Sequence, residues 1–83
     1  MAIPRPLLGA LDNDFNAAVR TGDKDKAIAI FSALVGIAIS VAPAQAHPLY
    51  EMLTKVTTIS VAQLTTDKNS VVALIAKKSL KFP

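Results

Sequence analysis

The spacing of hydrophobic and polar residues predicts an all-α fold, in one small domain spanning residues 1–83. Apolar residues recur every three to four positions over residues 7–21, 48–65 and 67–80, which is typical of amphipathic helices. Residues 25–42 are different, because apolar side chains surround the whole helical circumference. We therefore expect a helical hairpin plus one or two further helices, with the hydrophobic helix at the centre.

The first two helices are predicted to form a hairpin with a tight turn. Gly22 lies where a left-handed glycine would end the first helix, and Asp23 or Asp25 can cap the second. Residues 17–34, AAVRTGDKDKAIAIFSAL, resemble the inner part of a tetratricopeptide hairpin, and the resemblance implies two antiparallel helices. The residues that carry the resemblance are Gly22, Ala27, Ile28, Phe31, Ala33 and Leu34.

The run from Ala27 to Ala42 contains no charge, no amide and no proline. It could cross a bilayer, fill a protein core or be a signal peptide. The small residues of APAQA before His47 look like a cleavage site, but an amphipathic segment of 26 residues with four aspartates precedes the run, where a short cationic one is expected. The run rises about 24 Å, so crossing a hydrocarbon core of about 30 Å would require the flanking turns or a thinner bilayer.

Side-chain sizes are sorted around this helix. Five small residues share one continuous arc of about 100°, and the bulky residues occupy the remainder. This small stripe is the predicted helix-packing face, formed by Ala29, Ser32, Ala33, Gly36 and Ser40. Leaving about 300 Å² of apolar surface in water costs about 7 kcal/mol, which is comparable to the stability of a small domain. We therefore expect lipid or other protein subunits to cover what the other helices do not.

One segment has two possible structures. Residues 56–61, VTTISV, fall within the helical pattern of 48–65, but their β-branched residues also suit a strand. The sequence leaves helix and strand open here.

Composition excludes several kinds of site. The chain has 83 residues, 52% of them hydrophobic and 18% charged, with a net charge of +3 and no cysteine. Disulfides and thiolate metal sites are therefore impossible. Nucleic-acid binding usually needs a dense basic stripe with stacking aromatic residues, and the lysines and arginines here are scattered, so no nucleic-acid partner is expected.

Candidate chemistry is sparse. His47 precedes Pro48 in a predicted connector, where we expect it to be non-helical, without a carboxylate partner and solvated. The acidic residues near the hairpin lack the glycine and glutamate of a calcium loop and are better explained by helix capping and a solvated turn; they are Asp12, Asp14, Asp23 and Asp25. No catalytic residue, metal or cofactor is expected.

The sequence favours a non-enzymatic structural or accessory subunit of a larger assembly. In the first hypothesis, helix 25–42 is transmembrane and the location is a membrane, with other protein subunits and lipid as partners. In the alternative, the chain is a structural subunit of a homo-oligomer, filament or virus-like particle within a soluble multi-subunit particle. Lys77, Lys78 and Lys81 either contact an anionic surface or keep this end of the chain solvated.

Overall fold

The computed structural model describes the backbone of residues 5–79 and the side-chain surroundings of residues 8–78. Within residues 5–79 the chain forms four α-helices and no strand, which confirms the all-α fold. The helices are α1 (Arg5–Arg20), α2 (Lys24–Val41), α3 (Ala46–Lys55) and α4 (Val61–Ser79), with a single 3-10 turn (Pro43–Gln45) between α2 and α3.

The turn between α1 and α2 is held by both helix ends. Gly22 has a φ of 77°, and its N–H donates to the carbonyl of Val19, while the N–H of Asp23 donates to that of Ala18. This pair of bonds is the Schellman motif. The Asp23 carboxylate then accepts a hydrogen bond of 3.1 Å from the N–H of Lys26. The predicted hairpin turn is confirmed, and Asp23 is the residue that caps α2.

The connection between α3 and α4 differs from the prediction. Instead of one helix over 48–65, α3 ends at Lys55, and α4 begins at Val61. The turn between them is neither helix nor strand, because β-branched residues lose side-chain freedom in a helix and Ser60 offers a cap. The Ser60 hydroxyl accepts a 3.1 Å hydrogen bond from the N–H of Gln63. Residues 61–66 thus belong to the start of α4.

Two prolines lie inside first helical turns. Pro6 is in the first turn of α1 and Pro48 is in the first turn of α3, so His47 is helical and its predicted place in a connector is wrong. First-turn N–H groups have no intrahelical acceptor, so proline loses no hydrogen bond there. The 3-10 turn runs directly into α3, because the N–H of Ala46 donates to the carbonyl of Pro43.

α2 is the central helix and packs against α1, α3 and α4. The Lys24 ammonium donates a 3.0 Å hydrogen bond to the carbonyl of Ile59, so α2 and α4 begin at the same end of a molecule that measures 38 × 27 × 15 Å. The largest fully buried side chains come from three helices and are Phe15, Phe31, Leu34, Val35, Leu64, Val71 and Ile75.

The transmembrane prediction for residues 25–42 is wrong. None of the helices within residues 5–79 combines the length and hydropathy needed to cross a bilayer. α2 has 18 residues and begins with three charged ones, Lys24, Asp25 and Lys26. Three of its bulky side chains, Phe31, Leu34 and Val35, are fully buried in the bundle. The predicted membrane location rested on this helix.

Candidate functional site

The predicted packing face of α2 points away from the other helices. We call these five residues the outer face of α2: Ala29, Ser32, Ala33, Gly36 and Ser40. All are exposed except Ser32, which is half-buried and donates a 2.9 Å hydrogen bond to the carbonyl of Ile28. A Cβ added at Gly36 would meet nothing within 4 Å. A larger residue at Gly36 thus has room within its own chain.

Isoleucines border the outer face on both sides. At 100° per residue, Ile28 and Ile39 lie along one edge, and Ile30 and Ile37 lie along the other. All four are half-buried, and each packs against the core with part of its side chain. The outer face is therefore a shallow floor of small residues between two ridges of partly exposed isoleucine.

A buried lysine joins α1 to α4. Lys68 is 2% exposed, and its ammonium lies 2.6 Å from a carboxylate oxygen of Asp12 and 3.1 Å from the side-chain oxygen of Asn16. The same ammonium is 5.2 Å from the centroid of the Phe15 ring, which is within cation–π range. Every polar contact of this lysine is thus made inside the bundle.

Sequence reasoning missed this lysine, although a signal was present. Lys68 follows Leu64 by four residues and precedes Val71 by three, so it occupies the apolar side of α4. A lysine at a core position of an amphipathic helix predicts a buried partner, because an unpaired buried charge is costly.

The residues considered as ligands have separate structural roles. His47 has the carboxylate partner it was predicted to lack: its Nε2 lies 3.0 Å from an oxygen of Glu51, one turn later in α3. Asp12 pairs with Lys68 and Asp23 caps α2, so the acidic residues near the hairpin do not converge. Among the described residues, no group of three histidine, aspartate or glutamate side chains is placed to hold a metal ion.

A groove of about 460 Å³ lies between α3 and the first half of α4. Pro48, Met52 and Ile59 supply its apolar surface. Its polar lining residues are Glu51, Lys55, Gln63 and Asp67. The groove exists because α3 ends at Lys55 and the chain turns before α4, a break that the predicted continuous helix lacked.

The C-terminal lysines lie at the opposite end of α4 from this groove. Lys77 is exposed and Lys78 is half-buried in the last turn of α4, where cations favour the negative end of the helix dipole. Lys81, the third lysine of the predicted anionic-surface contact, lies outside the described residues.

Comparisons of the chain with protein-family models, with curated proteins and with solved structures find no match.

Proposed function

We propose that this chain is a non-enzymatic structural subunit of a homo-oligomer, in which copies meet through the outer face of α2. The observation that supports the proposal most is that the exposed positions of α2 between residues 29 and 40 carry only alanine, glycine and serine. This surface is available to a partner, since no other part of the described bundle covers it.

Charge is the first argument. An exposed helix face is normally charged or polar, as α1 shows with Asn13, Asp14 and Arg20 exposed. Between Ala27 and Ala42 there is no charged residue at all. The cores of protein interfaces are depleted in charge in the same way.

Shape is the second argument. Small residues allow two helix backbones to approach to about 8 Å, at the close end of the usual range. A second α2 lying on the floor around Gly36 would contact the partly exposed ridges, Ile28 and Ile39 on one side and Ile30 and Ile37 on the other. Such a contact would bury the remaining apolar surface of the central helix, which was predicted to be apolar around its whole circumference.

Analytical ultracentrifugation of the full chain tests the proposal. We expect reversible association in the micromolar range, weakened at least about tenfold by Gly36→Leu, which corresponds to about 1.4 kcal/mol. The fold of each subunit should survive this change, because a Cβ added at Gly36 meets no atom of its own chain within 4 Å.

Ala73→Leu is the matched control, since Ala73 is an exposed residue of another helix, α4. It adds a similar exposed apolar side chain away from the proposed interface and should leave association unchanged. A chain that stays monomeric at several hundred micromolar, or a Gly36→Leu variant that associates like the parent, would show that the outer face is not an interface.

A further inference from the structure

The groove between α3 and α4 combines an apolar floor with two carboxylates. Met52 and Ile59 contribute apolar surface, while Glu51 and Asp67 come from the two helices that flank it. Its volume of about 460 Å³ falls within the range of clefts that bind ligands. The groove is therefore large enough for a few side chains of a bound segment.

Both carboxylates lack a cationic partner from lysine or arginine in the described part of the chain. Glu51 contacts His47 at 3.0 Å, and Asp67 accepts a 3.0 Å hydrogen bond from the Gln63 amide. Asp12, in contrast, is paired with Lys68. With Lys55 also on the lining, the charged side chains that line the groove sum to about −1, on a chain whose net charge is +3.

A segment with the complementary chemistry occurs in this sequence. Residues 77–83, KKSLKFP, carry three lysines together with Leu80 and Phe82. Lysine ammonium groups can pair with the groove carboxylates, and the leucine and phenylalanine side chains can cover apolar surface.

The backbone of residues 80–83 in one copy falls short of the backbone of Asp67 in that same copy. Asp67 and Ser79 are twelve positions apart along α4, a rise of about 18 Å. Fully extended, residues 80–83 span at most about 14 Å. Asp67 is the groove residue of α4 nearest to Ser79 along that helix, and Gln63 lies about one turn further away.

We propose that the groove binds residues 77–83 of a second copy, with lysines pairing with Glu51 and Asp67 and with Leu80 and Phe82 covering Met52 and Ile59. This contact rests on the proposed self-association and adds a second interface to it. The two surfaces in contact are different, so the contact is head-to-tail and extends into a ring or a filament.

Fluorescence anisotropy with a labelled peptide of residues 77–83 tests the groove directly on the full chain. We expect saturable binding, weakened at least about tenfold by Glu51→Gln together with Asp67→Asn. The matched control is Asp14→Asn together with Asp25→Asn, which removes the same charge from exposed acids outside the groove. A peptide with Leu80→Ala and Phe82→Ala should also bind at least about tenfold more weakly.

Mixing two variants tests the head-to-tail contact in the assembled protein. In the Gly36→Leu background, a groove variant (Glu51→Gln, Asp67→Asn) and a tail variant (Lys77→Gln, Lys81→Gln) should each be monomeric. Their equimolar mixture should form a one-to-one dimer, because one partner keeps its tail and the other keeps its groove.

The outcomes separate the two proposals. Absence of saturable peptide binding, or equal weakening by the control pair, overturns the groove proposal even where Gly36→Leu dissociates the parent. If the peptide binds through the groove carboxylates but Gly36→Leu does not weaken self-association, the groove proposal is supported and the α2 interface is overturned.

Discussion

The ammonium of Lys68 in α4 lies 2.6 Å from the carboxylate of Asp12 in α1 and thereby joins the two helices. The two residues are 56 positions apart in the sequence. The partners are unequally buried, since the side chain of Lys68 is 3% exposed and that of Asp12 is 33% exposed. If Lys68 were removed, water could therefore solvate the Asp12 carboxylate. If Asp12 were removed, water could solvate the Lys68 ammonium less readily.

We expect Asp12→Ala to lower the free energy of unfolding by about 1–3 kcal/mol, because it leaves a buried ammonium without its anion. Lys68→Met should cost less, because the remaining carboxylate can reach water and methionine fills a similar volume. Urea unfolding followed by circular dichroism measures both. Asp14→Ala, an exposed acid on the same helix, should stay within about 0.5 kcal/mol. If Lys68→Met lowered the free energy of unfolding more than Asp12→Ala, the unpaired buried ammonium would not be the main cost of breaking this pair.

Alanine substitution should change the stability of the fold in opposite directions at Gly22 and Gly9. Gly22 has a φ of 77°, so Gly22→Ala should destabilise the fold by about 1–2 kcal/mol. Gly9 is an exposed residue within α1 and has open space around it, so Gly9→Ala should stabilise by about 0.5–1 kcal/mol. Thermal unfolding of both variants at one protein concentration checks the prediction. Equal shifts would mean that the turn does not need the left-handed conformation.

Removal of the α2 cap should be measurable. Asp23→Ala removes the acceptor for the N–H of Lys26 and should cost about 1 kcal/mol in the free energy of unfolding. Asp25, in the first turn of the same helix, contributes only through the helix dipole, so Asp25→Ala should cost about 0.3–0.5 kcal/mol. A comparable loss from both would assign the effect to charge rather than to the capping hydrogen bond.

The core contribution of α2 can be compared with that of an exposed aromatic residue. Phe31 is fully buried, whereas Tyr50 is 56% exposed. Phe31→Ala should lower the free energy of unfolding by about 3–5 kcal/mol because it leaves a cavity in the core. Phe31→Leu should lower the free energy of unfolding by less. It can therefore be compared with Tyr50→Ala if the Phe31→Ala variant does not fold. Tyr50→Ala should cost less than either, and chemical unfolding curves rank the three.

Local features were predictable because neighbouring residues along the chain determine them. The hairpin needs only a glycine that tolerates a positive φ and an aspartate that caps the next helix, and Gly22 and Asp23 supply both. Helical periodicity likewise identified α1 and α2 without reference to any distant residue. The division of small and bulky residues around α2 is also a property of the sequence alone.

Which arc of α2 faces inward was decided only by the tertiary structure. Neither arc carries a charge between residues 27 and 42, so charge patterning cannot choose between them, whereas burying the bulky arc removes more apolar area from water at about 25 cal/mol per Å². The same limit applies to Lys68, whose partners are on another helix, and to the groove, which requires the break after Lys55 to place α3 beside α4. Contacts between residues distant in the chain therefore determined the surfaces on which function is proposed.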